Sequence, residues 1–154
     1  MQEYIIVRSK AEYAAAAALF SEYAQWLGID LGFQQFDKEL QELDKMYAAP
    51  TGGIILCRSG NNFVGSAAIR KIDNDIAELK RMYVQPAFQH KAIGKALLER
   101  SLELAKEYKY RFIRLDTLSN MLPAINLYKK YGFYEIAAYY HNPNPSAVYF
   151  EKQL

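Results

Sequence analysis

The chain has 154 residues, 51% of them hydrophobic, and a formal net charge of +2 at pH 7. That is enough apolar material for a domain with its own core, too little charge to argue for nucleic acid or an anionic membrane, and no apolar run nears the roughly 20 residues that span a bilayer. A single cysteine, Cys57, excludes an intramolecular disulfide and suits a reducing cytoplasm, and residues 1–8 lack the basic-then-apolar pattern of a signal peptide.

Residues 4–7 read as a first strand, and 10–27 as a helix favoured by its alanine run and stopped by Gly28. An aromatic-bearing loop covers 28–36, and Asp37 is placed to N-cap a second helix reaching about residue 47. A turn at 50–53 leads into strands 54–58 and 62–71, a hairpin around Gly60-Asn61, with 76–84 a third strand of the meander. A central helix spans 93–108. Ile93, Leu97, Ser101, Leu104 and Tyr108 recur on one face, while Lys95, Glu99, Arg100, Glu103 and Lys106 face water. Residues 111–117 form a strand. Pro123 suits the first turn of another helix, with Ala124, Leu127, Tyr128 and Tyr131 inward and Gly132 as its left-handed cap. Residues 133–140 and 147–154 make a last strand pair across the turn-rich 141–145. No repeat, low-complexity tract or linker interrupts 1–154. The expectation is a single domain, α+β or mixed α/β: an antiparallel meander, then a β-α-β-α-β half with a right-handed crossover at the central helix.

The densest chemical signal lies in 77–136. There a strand closes at Val84-Gln85-Pro86, and the short turn Gln89-His90-Lys91-Ala92-Ile93-Gly94 opens an amphipathic helix. Such a turn gathers unpaired backbone N–H groups at the positive end of the helix dipole, which makes it an anion site and predicts a phosphate-bearing ligand.

These blocks resemble the GNAT superfamily of acetyl-CoA-dependent N-acetyltransferases, over nearly the whole chain. The family's pyrophosphate loop, Gln/Arg-x-x-Gly-x-Gly/Ala, stands here as Gln89-His90-Lys91-Ala92-Ile93-Gly94, with alanine at the first glycine position. Glu78-Leu79-Lys80-Arg81-Met82-Tyr83-Val84 is similar to its fourth strand, and Leu115-Asp116-Thr117, Ala124-x-x-Leu127-Tyr128 and Gly132-Phe133 to its closing signature. The resemblance implies a GNAT fold: a central mixed, mostly antiparallel twisted sheet of about seven strands flanked by about four helices. It implies acetyl-CoA as cosubstrate and a primary amine of a small molecule as acceptor, joined by direct attack in a ternary complex. Acetylation of a peptide or protein, and a non-catalytic acyl-CoA-binding regulatory domain, stand as alternatives.

The resemblance also implies roles for particular residues. Glu78, at the start of the strand lining the cleft, takes a proton from the amine, directly or through water; read as residues alone, it is equally a solvated glutamate or a partner for Lys80 or Arg70. Tyr128 gives a proton to the departing thiolate; otherwise it is a core tyrosine packed with Leu127 and Tyr131. Met82, Tyr83 and Val84 offer backbone to the thioester and the pantetheine arm, and Gln89, His90, Lys91, Ala92, Ile93, Gly94 and Lys95 hold the pyrophosphate. The family's asparagine before the last helix falls on Met121 here, with Asn120 one position earlier as the available cofactor contact. The acceptor pocket is implied at 26–36 and 139–149, with Trp26, Phe33, Gln34, Tyr140 and Asn142 as substrate-binding candidates. Both stretches are aromatic-rich and poor in carboxylates, which disfavours a polyamine; the same aromatics would also serve a homodimer contact. Cys57 reads as an inert buried thiol. His90 and His141 are too isolated for a metal site. The pairs Lys80-Arg81 and Lys129-Lys130 read as solvated faces rather than a nucleic-acid stripe, either of them placed to help steer an anionic cofactor, and the expected location is the cytoplasm.

Overall fold

The computed structural model describes residues 2–32 and 35–154. Its elements run β1 (Gln2–Ile6), α1 (Lys10–Leu27), α2 (Phe36–Gln41), α3 (Leu43–Met46), β2 (Gly53–Ser59), β3 (Asn62–Lys71), β4 (Ile76–Val84), a 3-10 turn (Pro86–Phe88), α4 (Ile93–Glu107), β5 (Phe112–Leu118), α5 (Leu122–Lys130), β6 (Tyr134–Ile136) and β7 (Ala147–Gln153). All strands join one seven-stranded sheet in the order β1-β2-β3-β4-β5-β7-β6. Only β4 and β5 run parallel, the crossover between them being α4; every other pair is antiparallel.

Alternation along β2 explains the layering. Ile54 and Leu56 pack with Leu19, Phe20 and Tyr47 on one face, whereas Ile55 and Cys57 pack with Leu97, Leu98 and Ala105 on the other. A strand buried on both faces reads as an unbroken apolar run, as Ile54-Ile55-Leu56-Cys57 does. In α1, Ser9 accepts from the Glu12 N–H while the Glu12 carboxylate accepts from the Ser9 N–H, a capping box, and Gly28 closes the helix at φ 70°. The side chains of α4 divide as the periodicity predicts, with Leu98, Leu102 and Ala105 widening its buried stripe.

Three expectations need correction. The second helix is not capped by Asp37: it starts at Phe36 after a left-handed Gln35, without a side-chain cap, and Asp37 sits in its first turn, where the dipole favours a carboxylate. It also breaks at Glu42 (φ −126°, ψ 30°), leaving two short pieces in place of one. With that break, the described residues form five α-helices about the sheet. The strand expected over 133–140 is confined to Tyr134–Ile136, because Tyr139 and Tyr140 leave the ladder and turn their hydroxyls toward Glu78 and Asp116.

Candidate active site

The site begins where two parallel strands part. β4 pairs with β5 only at Ile76–Phe112, Ala77–Ile113 and Glu78–Arg114. Beyond Glu78, β4 keeps its partner on the β3 side, but its register shifts between Ser66 and Ala68, and Arg81 there takes a left-handed φ of 57°. A bulge of this kind turns a strand locally out of the ladder. The opening is lined by Leu79 to Met82 from β4, Leu115 to Leu118 from β5, and Met121, Ala124 and Tyr128 at the start and along α5.

Beyond the far end of β4 lies the turn that the sequence marked as a candidate anion site, residues 89–94. His90 and Ala92 both have positive φ, 66° and 62°. These left-handed residues fold the chain so that the first α4 bond runs from the Ala96 N–H to the Ala92 carbonyl. The backbone N–H groups of residues 90–95 donate to no group among the described residues. An N-terminal turn with so many unmet donors fits a phosphate oxygen cluster by both dipole and hydrogen bonding. A Cβ added at Gly94 would meet nothing within 4 Å, so the protein itself does not require glycine there. Gln89 is anchored by its amide to the Val84 carbonyl at 3.2 Å, which ties the turn to the end of β4.

Glu78 sits at the fork, 2% exposed. Its Oε1 accepts from Arg70 Nε at 2.8 Å and its Oε2 from the Tyr139 hydroxyl at 2.7 Å. Arg70 is its directly opposed residue across the β3–β4 ladder, so the ion pair follows from register. Of the readings the sequence left open, solvated glutamate is excluded; Arg70 is the hydrogen-bonded ion-pair partner, and the Lys80 ammonium stands off the same oxygen at 3.9 Å. Burial and the Glu78 charge together push the Tyr139 phenol far above its ordinary range.

Tyr128 is 6% exposed and faces the opening from α5, its ring 5.6 Å from that of Phe133. Burial first, then the neighbouring Tyr23 and Asp116, raise its phenol pKa well above 10. The residue is therefore both a core tyrosine and a lining one. Asp116, also in the lining, accepts from the Tyr140 hydroxyl and from Asn142 Nδ2 at 3.1 Å, and the rings of Tyr139, Tyr140 and Tyr149 pack edge-on or tilted with centroids 5.4–5.8 Å apart.

A second cavity of about 790 Å³ opens on the other side of the fork, lined by α2, α3, β3, the start of β4, Tyr139 and Tyr140. Three carboxylates, Glu39, Glu42 and Glu78, line this cavity. They come from α2, the α2–α3 break and β4, not from the aromatic stretches. The expectation that Lys80-Arg81 is a solvated face is overturned: they are 8% and 6% exposed. Arg81 makes a bidentate pair with Glu39 (2.9 and 2.8 Å), Tyr47 donates to the same carboxylate at 3.0 Å, and the guanidinium lies 5.1 Å over the Phe36 ring. Burial alone would raise the Glu39 pKa, but the Arg81 hydrogen bonds and charge outweigh it and hold the carboxyl below its usual value.

The remaining candidates scatter. Met82 and Asn142 line the cleft and Tyr140 the second cavity. Trp26, 44% exposed, packs its ring 5.9 Å from that of Tyr83 and lines neither cavity. Tyr83 and Val84 line neither cavity. Asn120 is exposed in the turn before α5, while Met121 lines the cleft. Phe33 and Gln34 lie outside the described residues. Sequence reasoning named Arg70 and Lys80 only as possible partners of Glu78, Tyr139 only as the edge of the acceptor stretch, and gave Asp116 no role of its own. Arg70 was traceable through hairpin register; Tyr139 reaches Glu78 only because a strand ends early. Burial pushes the Cys57 thiol pKa up, so the thiol is not activated. Among the described residues no group of three or more His, Cys, Asp or Glu is placed to hold a metal ion, and no helix is long and apolar enough to cross a membrane.

Comparison with known proteins meets this geometry. An uncharacterised N-acetyltransferase of Schizosaccharomyces pombe is 34% identical over 138 residues, 88% of this chain and 85% of that protein. An acetyltransferase structure from Streptococcus agalactiae superposes with a TM-score of 0.82 at 22% identity, covering 99% of this chain and 98% of that one. An N-acetyltransferase from Thermoplasma acidophilum, solved in complex with coenzyme A, superposes with a TM-score of 0.73 at 20% identity over 100% of this chain and 99% of its own. The model of the acetyltransferase (GNAT) family matches residues 17–133, which hold the parted strands, the phosphate-type turn and the Glu78 and Tyr128 positions, and the chain belongs to that family of acyltransferases.

Proposed function

We propose that this chain moves the acetyl group of acetyl-CoA to a primary amine of a small molecule, by direct attack within a ternary complex. The observation that carries the reading is the gap between β4 and β5, with the unmet N–H groups of 90–95 at one end and Glu78 at the other. Past Glu78 the β5-facing edge of β4 has no strand partner. An extended amide-bearing pantetheine arm can add there as a strand would, with its pyrophosphate on the α4 turn and its thioester beside Met82.

The acceptor enters from the cavity on the Glu78 side. An ordinary amine has a pKa near roughly 10.4 and arrives protonated. Glu78 takes that proton, each carboxylate oxygen keeping a further lone pair beyond its bond to Arg70 or Tyr139. The amine nitrogen bonds to the thioester carbon, backbone N–H groups of β4 hold the oxygen as charge develops, and the C–S bond then breaks. Tyr128 donates its proton to the leaving thiolate, and its elevated pKa keeps the phenol protonated across the neutral range.

The test is Tyr128→Phe, assayed by thiol release with acetyl-CoA and an accepted amine. Turnover falls about a hundredfold or more, while calorimetric affinity for acetyl-CoA stays within about twofold because no cofactor-holding donor is lost. Unchanged turnover would remove Tyr128 from this role. Failure of acetyl-CoA to bind the unaltered protein would remove the enzyme reading altogether.

A further inference from the structure

Lys80 is the one described residue that lines both the cofactor cleft and the second cavity. Its side chain is 7% exposed, yet its ammonium donates no hydrogen bond to any group among the described residues. The nearest acid oxygen, Glu78 Oε1, lies 3.9 Å away, too far for a hydrogen bond. A buried ammonium with three unmet donors is costly unless a ligand or water satisfies it. Burial, with the charges of Arg81 and Arg70, holds its pKa below the usual lysine value despite the Glu78 and Glu39 carboxylates, so an anion brought against it would favour the charged form.

The charges around the cavity point the same way. Glu78 is paired with Arg70 and Glu39 with Arg81, which leaves Glu42 as the uncompensated acid of the lining. Against it stand Lys38, Lys45 and Lys71, exposed and without an ion pair among the described residues, together with Lys80. Four cations facing one carboxylate draw in an anionic molecule and repel a polycation. At the bottom, Glu78 and Lys80 lie two residues apart on β4 and present a carboxylate beside an ammonium. That is the complement of a zwitterion, whose amino nitrogen and carboxyl carbon are roughly 2.5 Å apart when both sit on one carbon.

Building on the N-acetyltransferase reading, we propose that the acceptor is a short amino carboxylate of the amino-acid type, its amino group at Glu78 and its carboxylate on Lys80. Lys80 is then the residue that sets acceptor specificity, and the exposed lysines steer the anion inward.

The experiment pairs each of the common L-amino acids with its carboxamide and its decarboxylated amine, and reads thiol release from acetyl-CoA. For at least one side chain the acid is preferred at least tenfold in kcat/KM. Lys80→Met erases that preference mainly through KM, Lys80→Arg keeps most of it, and the Met variant has a thermal midpoint no lower than that of the unaltered protein and a similar acetyl-CoA affinity. Equal or better turnover of the amides or plain amines overturns the inference and leaves the acetyltransferase standing. So does a Lys80→Met variant that loses kcat equally on acids and amides, since the lysine then serves the transition state of every acceptor. No turnover of any acid by a protein that binds acetyl-CoA also overturns it, whereas no acetyl-CoA binding removes the reading beneath it.

Discussion

At the scale of single residues, the anion turn carries a conflict between local preference and tertiary demand. Ala92 occupies the left-handed region at φ 62°, where a Cβ costs roughly 1–2 kcal/mol. Glycine would relieve that strain but adds about 0.5–1 kcal/mol of chain entropy. Ala92→Gly is therefore expected to raise unfolding stability by about 0.5–1 kcal/mol in a denaturant titration. Gly94 presents the opposite case. It lies in the first turn of α4 with open space at its Cβ position, so Gly94→Ala should gain up to about 1 kcal/mol from helix propensity. If phosphate packs against that backbone, the same methyl blocks it, and acetyl-CoA affinity falls by at least about tenfold, or about 1.4 kcal/mol. A stabilised variant with undiminished affinity would show that the phosphate sits elsewhere.

At the scale of elements, α2 is docked on the β4 bulge by a buried ion pair rather than by apolar packing alone. Glu39 and Arg81 are 2% and 6% exposed, bonded twice to each other, with Tyr47 completing the acid's contacts. Removing one partner strands the other, so Glu39→Gln should cost about 3–5 kcal/mol by chemical denaturation. The pH dependence follows from linkage. The folded pKa of Glu39 lies below its ordinary value of 4.5, so the unfolded chain binds the proton more readily. Its stabilising contribution is complete above the ordinary value and is lost as pH falls through the depressed folded one. Acid titration of the unaltered protein should show that loss below about pH 4.5, and Glu39→Gln should flatten it. An unchanged acid slope would mean that other carboxylates dominate.

At the scale of the molecule, the sheet is continuous on the β1–β4 side and on the β5–β7–β6 side, and it opens between β4 and β5. A ligand bridging that gap would tie the two halves together, so acetyl-CoA binding should stabilise the fold globally. At a hundredfold excess over Kd the gain is about 2.7 kcal/mol, which in a chain of this size raises the thermal midpoint by roughly 5–10 °C. With affinity down at least about tenfold, Gly94→Ala should lose about half or more of that ligand-induced shift at the same acetyl-CoA concentration, on top of an unliganded midpoint raised by its helix-propensity gain. A full shift in that variant would separate the α4 turn from cofactor binding.

What the sequence determined by itself was local and periodic. Glycine at 28 and 132 both ended helices in the left-handed region, the apolar stripe of 93–108 became the buried face of α4, and the strands of the meander paired around Gly60-Asn61. The turn of unmet backbone donors before α4 was legible because donors at a helix start need no distant partner. What only the tertiary structure decided was where polar side chains meet. Lys80-Arg81 looks solvated as a dipeptide, but β4 is central, and Arg81 finds its acid 42 positions away on a helix whose start was misplaced from sequence and whose break was missed. Tyr139 reads as strand, yet its hydroxyl leaves the ladder for Glu78, 61 positions distant. Periodicity encodes which face of an element is buried, because burial depends on the residue's own position in its element. It does not encode which buried charge answers another, because that depends on how separate elements pack together.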